Sequence, residues 1–147
     1  MLRPLALVTV RIEVARGDFA RRAADGSLKL ATPVPVPFNY GSILGTVGPD
    51  GDPLDAIVLG PRLSVGATVD VPVHGVVRFV DAGLPDDKWI CGRAPGPRDL
   101  RRLRWFFRIY VVMKRIRHPG RRTTAAAYQE QPWTSTSGPS ASTTSGT

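Results

Sequence analysis

The sequence predicts a mainly β chain with one helix, an α+β domain in which a small barrel or sandwich is covered by a C-terminal amphipathic helix. Three observations carry this. Short β-rich runs follow one another up to Ala94, each closed by Gly, Pro or Asp. After Arg98 the apolar spacing switches to that of a helix. Aspartates gather in two short loops between runs, where turn chemistry suits them.

The β-rich runs are Leu5 to Val14, Leu28 to Val34, Ala56 to Leu59, Thr68 to Val80 and Lys88 to Gly92. In the first of these, Val10, Ile12 and Val14 alternate with polar residues, which directs Glu13 to the outer face. The run is too short for a membrane span and no small-residue cleavage site follows it, so it reads as a strand of a cytoplasmic protein. From Arg98 to about Arg117, Leu100, Leu103, Phe106, Phe107, Tyr110 and Met113 recur at helical spacing, with arginines largely elsewhere. His118-Pro119-Gly120 ends that helix. Trp89, Trp105 and the Phe106-Phe107 pair are expected to fill the barrel–helix interface, and His74 to be an ordinary strand residue. Residues 1–133 are expected to form a single domain. Residues 134–147, a Ser/Thr/Gly stretch with nothing to bury, are expected to be a disordered tail.

Charge narrows the function. The chain of 147 residues carries a formal charge of +8, which raises nucleic acid as a partner for a barrel with a basic helix. Yet half of its 12 acidic residues, Asp50, Asp52, Asp55, Asp81, Asp86 and Asp87, sit in two clusters. Like charges so close repel unless a cation offsets them. Solvated helix arginines and the lack of regularly spaced strand aromatics argue against nucleic acid. The single cysteine, Cys91, excludes an internal disulfide and a cysteine-rich zinc site.

The segment Asp50-Gly51-Asp52-Pro53-Leu54-Asp55 puts three carboxylates on a turn leading into an apolar strand. Hard oxygen ligands on a rigid corner suit Mg²⁺ or Ca²⁺. An EF-hand loop is excluded, because Asp55 and Pro61 stand where that loop needs Gly and Glu. A solvated turn remains the plain alternative. The second loop, Asp81 to Lys88, adds acids and a compact cation able to meet phosphate oxygens.

From Val10 to Tyr110 these residues resemble the soluble, single-domain (family I) inorganic pyrophosphatases. The resemblance rests on Arg11-Ile12-Glu13-Val14, Phe38-Asn39-Tyr40-Gly41, the Asp50 to Asp55 motif, Gly75-Val76-Val77, Asp81 to Lys88, and Phe106-Phe107 before Tyr110. It implies an OB-like five-stranded β-barrel and Mg²⁺-dependent hydrolysis of pyrophosphate. It further implies Asp50, Asp55, Asp81 and Asp86 as metal ligands and Asp52 as the base that takes a proton from the attacking water. Arg21, Tyr40, Lys88 and Tyr110 are implied to hold phosphate, with Glu13 behind the metals. Assembly into a homo-oligomer, a hexamer in bacterial members, is implied by the resemblance alone. The chain departs from the family where Arg21, Ala23, Val36 and Val111 replace Lys, Glu, Tyr and Lys, and a further Arg is lost before Asn39. Lys114, a turn beyond Val111, reaches the site only if the helix is shifted. The metal carboxylates thus survive while the phosphate clamp is thinned, so a weak or non-catalytic metal- and phosphate-binding relative is the alternative to a working hydrolase.

Overall fold

The computed structural model describes residues 5–22, 28–32, 34–49, 51–117, 120 and 123–133. The strands are β1 (Leu7–Val14), β2 (Ala20–Arg22), β3 (Leu28–Ala31), β4 (Asn39–Ile43), β5 (Asp55–Leu59), β6 (Thr68–Asp81), β7 (Leu84–Pro85), β8 (Lys88–Gly92) and β9 (Thr123–Glu130). The helix α1 (Pro97–Arg117) lies between β8 and β9. Strands β1, β4, β5, β8 and β6 pair in that order, and β1 pairs back to β6, so the five close into a ring. All of these pairings are antiparallel except β5 with β8. Strand β9 adds to the edge of β6, and β2 pairs with β3 as a separate ribbon.

Strand alternation builds two cores. Val8, Val10 and Ile12 of β1, Ala56 and Val58 of β5, Val73 and Val76 of β6, and Trp89 and Cys91 of β8 fill the inside of the ring. Their neighbours Ile57, Leu59, Val77, Phe79 and Ile90 face the other way, against Leu103, Phe106 and Phe107 of α1. Strands β5 and β8 are therefore buried on both faces, which explains why Ala56-Ile57-Val58-Leu59 is apolar without a break. Phe107 stacks on Phe38 and leans on Phe79, with centroids 6.3 and 5.8 Å apart, fixing the helix across the sheet.

The expected barrel and helix are present, with instructive differences. Strands β2, β4, β7 and β9 are additional to the expected runs. Trp89 lies inside the ring, edge-on to Trp133 at 4.8 Å, instead of at the helix interface, because β8 alternation sends Ile90 to the helix. Trp105 is 52% exposed, on the side of α1 away from Phe106 and Phe107. His74 is an ordinary strand residue whose Nε2 lies 2.7 Å from the Gly92 carbonyl. Of the expected helix stop, Gly120 takes the left-handed conformation at φ 88°, while His118 and Pro119 lie outside the described residues, as does the tail from 134.

The start of α1 is closed by its own acid. The Asp99 carboxylate accepts from Gly96 N at 2.9 Å and from Nη1 and Nη2 of Arg93 at 2.8 and 3.0 Å. Burial alone would raise the Asp99 pKa, but the Arg93 and Gly96 hydrogen bonds, with the charges of Arg93 and Arg102, outweigh it and hold the carboxyl below its usual range. A carboxylate with a lowered folded pKa stabilises above its unfolded value of ~3.9 and loses that contribution as pH falls through the folded value. Asp99→Asn is expected to lower stability by about 1 kcal/mol at pH 7. Urea midpoints of the variant and parent should converge in acid, below about pH 4.

Candidate active site

Strand register assembles the site. Asp55 opens β5 and Lys88 opens β8, and the parallel pairing sets them side by side. The Lys88 ammonium donates to Asp55 Oδ2 at 2.6 Å. Asp86, two residues before Lys88, places its Oδ2 at 2.9 Å from the same ammonium. On the other side of β5, Ser42 of β4 is the partner of Asp55, and its hydroxyl donates to Glu13 Oε2 of β1 at 3.1 Å. A polar band thus crosses β1, β4, β5 and β8 at one level of the ring. Glu13 is half-buried in it, short of the fully outward position that strand alternation predicts.

Lys88 is only 2% exposed, and its ammonium also lies 5.7 Å from the Tyr40 ring centroid and 5.3 Å from that of Phe79. Burial opposes its charge, but Tyr40, Asp55, Asp86 and Tyr110 outweigh it and hold the ammonium well above the ordinary lysine range. Asp86 is pushed upward by burial and by the neighbouring Asp55, against the pull of Lys88. Beside Lys88 a cavity of about 40 Å³ is edged by Tyr40 and Tyr110 and walled by Val14, Val36, Phe106 and Phe107.

The remaining candidates are dispersed. Asp81, at the end of β6, accepts from the Thr123 hydroxyl at 3.0 Å and lies 3.5 Å from Lys114 Nζ. Lys114 therefore reaches the acidic end of the ring from one turn beyond Tyr110. Asp52 is exposed on the turn that Gly51 makes with φ 89°, and its carbonyl accepts from Gly48 N at 2.6 Å. Asp87 pairs with Arg78 at 2.7 Å and accepts from Phe79 N, so it buttresses the loop. The backbone of Arg21 is opposite Leu30 in the β2–β3 ribbon. Asp50 lies outside the described residues, as does Ala23.

Sequence reasoning missed Ser42, Thr123 and the role of Asn39. The fully buried Asn39 side chain accepts from Arg16 N and Leu63 N at 3.0 and 2.9 Å, and donates to Val58 O and Pro61 O at 3.2 and 2.9 Å. It ties the start of β4 to the loops that follow β1 and β5. A short amide between two aromatics at a strand start was the available signal.

A divalent cation suits this donor set in chemistry. Among the described residues no group of three or more His, Cys, Asp or Glu is gathered as a ready metal site. Asp55 and Asp86 nevertheless converge on one positive centre, with the Lys88 ammonium as the stand-in. Both are hard oxygen donors of the kind Mg²⁺ prefers.

Together, the closed five-stranded ring and its edge of carboxylates, buried lysine and tyrosines define a small β-barrel protein with an acidic site built on strand ends. The family model described as inorganic pyrophosphatase matches residues 10–126. The chain is 36% identical over 92 residues to the inorganic pyrophosphatase of Gluconobacter oxydans, covering 57% of this chain and 53% of that protein. It is 30% identical over 100 residues to that of Synechocystis, covering 63% and 59%. The chain thus spans little more than half the length of these curated relatives. Among solved structures, inorganic pyrophosphatase from Thermus thermophilus superposes with a TM-score of 0.68 at 27% identity, covering 87% of each chain. That from Helicobacter pylori gives the same score at 21% identity, covering 89% of this chain and 91% of the other, and shows the fold. The chain belongs to the inorganic pyrophosphatase family.

Proposed function

We propose that this chain hydrolyses inorganic pyrophosphate to two phosphates with Mg²⁺. The observation that carries the reading is the convergence of Asp55 and Asp86 on one buried cation at the strand ends. Asp55 and Asp86, joined by Asp50 and Asp81, are the residues that would hold the metal. When bound, Mg²⁺ supplies charge neutralisation for the phosphates and a lowered pKa for its water.

The protein's own groups do the rest. Asp52, on its exposed turn, takes the proton of the attacking water. Lys88, Tyr40 and Tyr110 meet phosphate oxygens from the wall of the cavity, and Arg21 adds a second cation. Glu13 braces Ser42, the strand partner of Asp55, and so keeps the carboxylate level with Lys88. For phosphoryl transfer such positioning and charge compensation supply most of the rate. The same reading makes the protein cytoplasmic and a homo-oligomer, hexameric by likeness to bacterial members.

One observation favours a second reading, a relative that binds metal and phosphate with little turnover. The cavity beside Lys88 is walled by Val14, Val36 and phenylalanines, where a phosphate clamp needs cations. Each missing electrostatic donor costs roughly 10²–10³ in rate.

Phosphate release from pyrophosphate decides between them. Purified protein with Mg²⁺ is expected to release phosphate, and Asp52→Asn to reduce turnover by roughly 10²–10⁴. Saturable binding of Mg²⁺-pyrophosphate with no release above the metal-free control would establish the binding relative instead.

A further inference from the structure

We infer that Lys88 is the built-in counter-ion of the Asp55–Asp86 pair, that it competes with a divalent cation for those carboxylates, and that it thereby sets the cation affinity of the site. The inference rests on the proposed reading that this pair takes metal, and it deepens that reading.

The ammonium touches both carboxylates, at 2.6 and 2.9 Å, from a side chain with almost no access to water. Its charge is therefore balanced by the protein itself, with Asp55 and Asp86 as the principal anions. A dication drawing on the same oxygens meets a unit charge already among them. It binds well only if Lys88 yields at least one of its two bonds. Repulsion between a lysine and a dication a few Å apart is too large to leave both in place.

The structure offers the displaced ammonium a destination. Lys88 itself lines the small cavity edged by Tyr40 and Tyr110, so a rotation of its flexible stem carries the charge from the carboxylates to the phenol side without leaving the site. There it faces whatever anion enters. Cation loading and anion recognition are thus coupled through one side chain: the metal frees the lysine, and the freed lysine presents a positive charge to phosphate. In the metal-free state the lysine is engaged and the anion site is weak.

The test is Mn²⁺ binding to the full chain without phosphate or pyrophosphate, followed by electron paramagnetic resonance, for the parent, Lys88→Met and Lys88→Arg. Lys88→Met is expected to tighten the Mn²⁺ dissociation constant by about tenfold or more, and Lys88→Arg to stay near the parent. The metal-induced rise in melting temperature should be larger in Lys88→Met, because Asp55 and Asp86 lose the cation they share and repel more strongly until the metal arrives. Should Lys88→Met fail to fold, the parent labelled with ¹⁵N-lysine provides the measurement. The Lys88 Nζ resonance is expected to shift on saturation with Mg²⁺, as the carboxylate bonds are lost. Equal or weaker Mn²⁺ binding by folded Lys88→Met, or an unmoved Nζ resonance at Mg²⁺ saturation, would overturn the competition while leaving the metal reading intact. Absence of Mn²⁺ binding by the parent and both variants would overturn the metal reading itself, and the inference with it.

Discussion

Asn39→Ala is expected to destabilise the protein by about 4 kcal/mol, a large loss for one side chain away from the acidic cluster. The carboxamide meets four backbone partners, Arg16 N, Leu63 N, Val58 O and Pro61 O, from a position with no solvent access. Truncation leaves these groups facing a cavity, and an unsatisfied buried polar group costs roughly 1–3 kcal/mol. Water entering the gap would recover part of that, which keeps the figure below the full sum. Asn39→Asp keeps the two accepting contacts, loses the two donating ones and buries a charge against two carbonyls, so it should fare no better. Guanidinium unfolding checks this: the midpoint should fall with the slope unchanged.

Gly41→Ala should be comparable, by at least about 3 kcal/mol, for a reason that has nothing to do with turn geometry. A Cβ built at Gly41 falls 2.0 Å from the Arg11 carbonyl oxygen and 3.1 Å from Ile12 Cα, both backbone atoms of β1. No rotamer relieves such a clash, so β1 and β4 must separate. They are ring neighbours, and their register shifts between Ile12 and Val14, next to the pairing of Ile12 with Gly41. Separation would loosen the Ser42–Glu13 hydrogen bond as well. The expected signature is a lowered melting temperature together with faster hydrogen exchange confined first to β1 and β4 amides. A variant as stable as the parent would mean that the strands tolerate the wider spacing.

How much of this was legible in the sequence differs between elements. β6 was readable because its apolar residues are dense and β-branched, β8 because Trp89-Ile90-Cys91 is a short apolar run closed by Gly92, and α1 because Leu103, Phe106, Phe107 and Tyr110 keep helical spacing. β4 was hidden, since Asn-Tyr-Gly-Ser has little strand propensity; it is a strand because Asn39 is satisfied at its start and Gly41 admits β1 closely. β9 was hidden for a related reason: Thr-Thr-Ala-Ala-Ala-Tyr shows no alternation, and the open edge of β6 supplies its hydrogen bonds. Within the site, clustering announced the aspartates, but not which of them share a partner. That Asp86 joins Asp55 while Asp81 turns to Thr123 and Lys114 depends on ring closure and on β9, neither of which local pattern encodes.

The parallel pairing of β5 with β8 has a kinetic meaning. Asp55 and Lys88 are 33 residues apart, and parallel neighbours cannot be made by a tight hairpin. Strand β8 reaches β5 only after the chain has run the length of β6 and turned back, inserting itself between the two. The β4–β5 pair can form early from nearby residues, with Asp55 then facing water, whereas the loop-closure cost of β8 falls late. On this topology Lys88 is brought to Asp55 by a late pairing, and the contact among Asp55, Lys88 and Asp86 forms in the same event that joins β5 to β6 through β8.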